Sequence, residues 1–220
     1  MIRKIITSVL IILSVNFLWA QDSVAPFYND IQHFKKQDSS SFPPTKAILF
    51  IGSSSFTKWV DVKDYFPGHT IVNRGFGGSS LPDVTRYVKD IVFPYKPGQV
   101  VIYCGENDIA GADSITAKIV FNRFKQLFQL IRSKMPKVPI AYVSMKPSPS
   151  REKFWPKMIA GNSLIKNYLK TKPKTAFIDV YHKMLNKDGT VMKDIFIEDN
   201  LHMNAKGYAI WKKVIEPYLL

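Results

Sequence analysis

The chain has 220 residues, 46% hydrophobic and 22% charged, with 31 Lys and Arg against 17 Asp and Glu for a formal charge of +14. That apolar content supports a buried core and excludes disorder and collagen-like order. A single cysteine, Cys104, excludes an internal disulfide, and four histidines without CxxC or HxxxH spacing leave no recognisable zinc framework.

The chain opens with Arg3 and Lys4, an apolar stretch over 5–19 and a small residue, Ala20, before Gln21. This pattern predicts a cleaved signal peptide over 1–20 and hence an exported protein, periplasmic or secreted. A membrane anchor fits less well. The stretch is about five residues short of the roughly 20 that span a bilayer, and Thr7, Ser8, Ser14 and Asn16 interrupt it. No cysteine follows it, so a lipid anchor is excluded. The mature chain keeps 29 basic residues against 17 acidic ones, a charge of +12. Its lysines are scattered among apolar residues and no nucleic-acid-binding signature accompanies them, so we read a solvated basic surface and no nucleic-acid partner.

A polar lead-in over 21–45 precedes a domain over 46–220. Within that domain, runs at 47–51, 70–72, 99–104, 138–143 and 175–180 are rich in Ile, Val and aromatics and bounded by turn residues, as buried strands are. Between them, Ile115, Ile119, Val120, Phe124, Leu127, Phe128 and Ile131 recur in steps that only a helix gathers on one face, which predicts a helix over 114–134 closed by Pro136. Further helices are predicted near 82–92, 154–169 and 205–218. Strands alternating with helices of this length imply right-handed crossovers and a three-layer α/β/α sandwich around about five parallel strands. The proline-rich stretch 144–156, with Pro147, Pro149 and Pro156 around Arg151, Phe154 and Trp155, reads as a loop at the carboxyl end of the fourth strand, where open parallel sheets bind ligands. Trp155 and Arg151 are therefore candidate substrate-binding residues; covering the core is the other reading of Trp155.

Four separated segments supply the parts of a serine hydrolase. Gly52-Ser53-Ser54-Ser55 ends the first strand where a helix begins, so backbone N–H groups and hydroxyls share one space. Asn73-Arg74-Gly75-Phe76-Gly77-Gly78-Ser79-Ser80 follows the second strand, its glycines permitting close backbone approach to a ligand. Gly105-Glu106-Asn107-Asp108 follows the third, with an amide suited to donating to an oxyanion. Asp199-Asn200-Leu201-His202 precedes the last helix, at a spacing that lets the carboxylate reach Nδ1 and leave Nε2 free as a base. Taken singly, each is also an ordinary turn or cap. Ser53, Ser54 and Ser55 are all possible nucleophiles on these grounds, and Cys104 reads as a small apolar residue at a strand end.

In this order and spacing the four segments resemble the blocks of the SGNH hydrolases, also called the GDSL esterase and lipase family. The resemblance runs over about 46–220 and takes in Asn204, Gly207 and Tyr208 after the last block. It implies a flavodoxin-like α/β/α fold with Ser54 as nucleophile, His202 as base and then acid, and Asp199 as its orienting carboxylate. The oxyanion hole it implies consists of the Ser54 and Gly78 N–H groups and the Asn107 side chain, with neither metal nor cofactor. The family usually has Asp where this chain has Ser53. Gly-Ser-Ser versions look similar to a platelet-activating-factor acetylhydrolase-like branch and to bacterial carbohydrate esterases. The expected activity is therefore hydrolysis of small acyl esters, acetyl above all, of a carbohydrate or similar small molecule. A lysophospholipase or thioesterase, and an inactive carbohydrate-binding protein on the same fold, are the alternatives.

Overall fold

Short apolar runs become strands because both of their faces are buried. In the computed structural model, which describes residues 24–220, so that the signal peptide expected over 1–20 lies outside the described residues, these runs form β1 Ile48–Gly52, β2 Ile71–Gly75, β3 Gln99–Tyr103, β4 Ile140–Val143 and β5 Thr175–Ile178. All pair in parallel in the order β2-β1-β3-β4-β5. The helices are α1 Tyr28–Ser40, α2 Ser54–Thr57, α3 Val62–Tyr65, α4 Leu81–Arg86, α5 Val88–Ile91, α6 Glu106–Gly111, α7 Ala117–Lys134, α8 Trp155–Lys170 and α9 Ala205–Ile215. Alternate strand residues feed two separate cores. Leu49, Ile51, Val100, Ile102 and Tyr142 pack with α1, α4, α5, α7 and α8, and Ile48, Phe50, Val101, Tyr103 and Val143 pack with α2, α3 and α9. This is a three-layer α/β/α sandwich.

The register places the site. Gly52 at the end of β1 lies opposite Gly75 on one neighbour and Tyr103 on the other, so the loops leaving three strands open at one level. The chain reverses its direction of travel across the sheet between β1 and β3, and ligands of open parallel sheets bind at such a point.

Three elements depart from the sequence expectation. The helix expected over 82–92 breaks at Tyr87, whose φ of −97° and ψ of 9° fall outside helical values and whose hydroxyl donates to Pro26 O at 2.7 Å. The helix expected over 205–218 ends at Ile215 and tightens into a 3₁₀ turn, Glu216–Tyr218. The polar lead-in contains α1, docked on the sandwich with Ile31 buried. It is held less by an apolar stripe than by charge: Asp38 meets Arg74 at 2.5 Å and accepts from the Tyr95 hydroxyl, while the guanidinium lies over the rings of Phe34 and Tyr95 at 5.1 and 5.0 Å. Burial, aided by Asp38, pushes the Tyr95 phenol up to about 12.

Candidate active site

The turn out of β1 depends on Gly52. Its φ is +132°, and a Cβ there would lie 1.9 Å from Tyr103 O. The turn delivers Ser54 as the first residue of α2, where His202 Nε2 lies 2.9 Å from its Oγ. His202 Nδ1 is 2.5 Å from Asp199 Oδ2, and Asp199 Oδ1 accepts from the backbone N–H groups of Leu201 and His202 at 2.9 and 2.8 Å. Asn200, at φ 53°, supplies the left-handed bend that closes this turn, a conformation asparagine tolerates better than most residues. Desolvation works in the other direction, but the His202 N–H, the imidazole and the Leu201 N–H together hold the Asp199 carboxyl at about 2. With Nδ1–H directed at that carboxylate, Nε2 is left to accept the Ser54 hydroxyl proton. Ser53 and Ser55 do not meet the imidazole: Ser53 Oγ accepts from Asn107 and Ser55 Oγ is buried with no hydrogen-bond partner among the described residues.

Opposite the imidazole, three loops are stitched together. Gly78 takes φ +81°, and its loop is pinned by Ser79 Oγ donating to Gly52 O at 3.1 Å and by Leu81 N donating to Asp108 Oδ2 at 2.9 Å. Cys104 packs here as a buried residue, its thiol donating to Ser79 O at 3.6 Å. Among the described residues, the N–H groups of Ser54 and Gly78 are not used in backbone pairing. Asn107 Nδ2 donates to Ser53 Oγ at 2.7 Å and to Ser79 O at 3.0 Å. Two backbone N–H groups outside the backbone pairing and the Asn107 amide thus lie in the loops around the nucleophile turn, and they are the donor types that a tetrahedral oxyanion requires.

Behind the amide lies a buried charged cluster. Lys146, 2% exposed, places Nζ 3.1 Å from Glu106 Oε2 and 3.1 Å from the Tyr103 hydroxyl, which itself donates to Glu106. Burial pushes the Lys146 ammonium below its usual range, with Glu106 opposing it. Burial would raise the Glu106 carboxyl, yet Lys146 and Arg151 overcome that and hold it low. A buried lysine departs from the expected solvated lysine surface, and the Glu106 carboxylate is its compensation.

The sequence of residues 51–210 matches the GDSL-like Lipase/Acylhydrolase family. The chain belongs to the GDSL-like lipase/acylhydrolase family. No curated protein sequence matches it. Among solved structures it is similar to a Streptococcus pneumonia protein whose name connects it with platelet activating factor, at 20% identity and TM-score 0.75 over 87% of this chain and 92% of that one. A GDSL-like lipase from Bacteroides thetaiotaomicron aligns at 21% identity and TM-score 0.72, covering 85% of this chain and 95% of that one. Axe2, an acetyl xylan esterase from Geobacillus stearothermophilus, aligns in its W215I form at 16% identity and TM-score 0.62, covering 80% and 95%. These likenesses show a shared fold, and it is the family match that makes the chain a carboxylic ester hydrolase.

Around this GDSL-type site, the two wall residues named from sequence part company. Trp155 packs against both cores, donates Nε1–H to Ser148 O at 3.0 Å and also lines an open cleft of about 1010 Å³ beside Asp199 and Asn200. Arg151 is absent from that lining. It turns inward and donates Nη2–H to Asn107 Oδ1 at 2.7 Å. Sequence reasoning missed Phe27, whose ring packs edge-on against Phe76 and lies 3.8 Å from where a Gly78 Cβ would be. Its one sequence signal was an apolar residue just before α1, and nothing local connects that position to a glycine 51 residues away. Among the described residues no group of three His, Cys, Asp or Glu side chains is placed to hold a metal ion.

Proposed function

We propose that this hydrolase is an exported serine esterase that removes small acyl groups, acetyl above all, from a carbohydrate or similar ester. The observation that carries the reading is the unbroken contact line from Ser54 Oγ through His202 to Asp199. Ser54 Oγ attacks the ester carbonyl carbon as its proton passes to His202 Nε2, and the Asp199 carboxylate holds the resulting imidazolium. The carbonyl oxygen, now an anion, is met by the Ser54 and Gly78 N–H groups and the Asn107 amide. Asn107 then exchanges the neutral Ser53 hydroxyl for a charged acceptor, which binds an N–H more strongly. Collapse expels the alcohol, protonated by His202, and water repeats the sequence on the acyl-enzyme.

Two features support the substrate class. The cleft beside Asp199 combines the Trp155 ring with Asn186, Thr190, Glu152 and Asp194, an aromatic face amid hydrogen-bonding groups suited to a saccharide. Phe27 stands beside Gly78, where a long acyl chain would need room. Hydrolysis of p-nitrophenyl esters of increasing chain length tests the acyl preference. The reading expects kcat/KM to be highest for acetate; a preference for chains longer than about eight carbons would contradict it. Export predicts that the chain isolated from its source begins at Gln21, as N-terminal sequencing would report.

A further inference from the structure

Asn107 is an oxyanion donor only if its NH₂, and not its carbonyl, faces the nucleophile turn. The two ends of a side-chain amide have nearly the same shape, so surrounding charges and hydrogen bonds must choose between them. Ser53 cannot make that choice, because a hydroxyl both donates and accepts. Ser79 O accepts only, and favours the NH₂. Arg151 decides it from the other end: a guanidinium has no acceptor, its Nη2–H is 2.7 Å from Asn107 Oδ1, and a flipped amide would set donor against donor.

We propose that Arg151 is a positioning residue of the oxyanion hole, fixing and polarising the Asn107 amide, and not a substrate-binding residue. Its side chain is 14% exposed, and it comes from the 3₁₀ turn Pro149–Phe154, a different loop from that of Asn107. Among the described residues Nη1 is buried without a hydrogen-bond acceptor, 3.8 Å from Glu106 Oε2. The guanidinium is thus turned away from solvent, toward the amide and Glu106. With Lys146 and Arg151 positive and Glu106 negative, the cluster carries one net positive charge, and the Arg151 end of it touches the amide that will hold the oxyanion. A cation on the carbonyl end of an amide draws electron density from its N–H groups, making them stronger donors to the charge that develops in the transition state. The family's usual Asp at position 53 would set a carboxylate against that donor; Ser53 leaves the positive field uncancelled.

This inference rests on the esterase reading, so the parent chain and Ser54→Ala are assayed first on p-nitrophenyl acetate. No Ser54-dependent hydrolysis would remove that reading and this inference with it. With hydrolysis established, Arg151→Gln, Arg151→Lys and Asn107→Ala are compared, together with the Asn107→Ala/Arg151→Gln double variant. Arg151→Gln is expected to lower kcat by up to the roughly 10²–10³-fold that loss of one oxyanion donor causes, with KM nearly unchanged. In the Asn107→Ala background it is expected to cost no more than about threefold, because its only route to the reaction has been removed. Arg151→Lys, which keeps the charge but not the planar fork, supplies the same comparison should the Gln variant not fold, with a smaller loss expected. An Arg151 variant that raises KM and spares kcat, or that loses as much activity with Asn107→Ala as without it, would overturn the assignment while leaving the esterase reading intact.

Discussion

In the proposed mechanism Ser54, His202 and Asp199 act as a unit, because each hydrogen bond sets the protonation needed for the next. Asp199→Asn would keep the shape but replace the acceptor for Nδ1–H, leaving the wrong tautomer at Nε2, and losses of about 10⁴-fold in kcat follow from such a change. A single-turnover or steady-state assay on an activated acetate ester would measure it. The same carboxylate has a pH signature. Its folded value, about 2, lies below the ordinary carboxylate range, so Asp199 contributes stability above its unfolded pKa of about 3.9 and loses that contribution as pH falls through 2. At pH 4 Asp199 is still ionised, so activity lost on acidification to that point does not come from its protonation. A kcat/KM profile carried down to pH 3 alongside circular dichroism would separate this from unfolding. Asp-x-x-His was legible in sequence as a local pattern, whereas Gly-Ser-Ser left three serines open and only the family resemblance singled out Ser54. Arg151 and Glu106 were also in view as residues, but their roles depend on contacts 44 and 40 positions apart.

Among the elements, the strands and the long helices were readable because burial writes its period directly into the sequence. Helix α7 is the plainest case, with Val120, Phe124, Leu127, Phe128 and Ile131 all buried. Helix α1 was not readable, since Ile31 is its one fully buried residue and an ion pair replaces the apolar stripe. That pair makes α1 breakable. Asp38→Ala would leave Arg74 and the Tyr95 hydroxyl without their shared acceptor, at a cost of about 3 kcal/mol by analogy with other half-broken buried pairs; urea unfolding would read it as a fall in midpoint at constant slope. The segment leading into α1 also carries Phe27 at φ 64°, where a bulky residue is strained. Phe27→Gly suits that backbone and removes the ring from beside Gly78. It is expected to leave acetate hydrolysis in place and to raise kcat/KM for butyrate and hexanoate relative to acetate; an unchanged ratio would show that the ring does not bound the acyl site.

At the scale of the whole molecule, parallel register turns four distant segments into one site: β1, β2 and β3 end level, and the turn before α9 brings His202 across to α2. The alternation of strands and helices disclosed this plan from sequence. What it concealed was the buried polar interior, because a lysine in a lysine-rich chain gives no sign that it is the one with Tyr103 and Glu106 around it. Lys146→Met should destabilise the fold by about 3–5 kcal/mol by stranding Glu106, a loss that acid would partly relieve by neutralising the carboxylate. The most direct test of the account is intact-mass analysis of the mature chain after treatment with a fluorophosphonate, beside Ser54→Ala. The account predicts a single adduct on the parent chain and none on the variant. No adduct on either, or one that persists after Ser54→Ala, would contradict an activated Ser54 at the centre of this site.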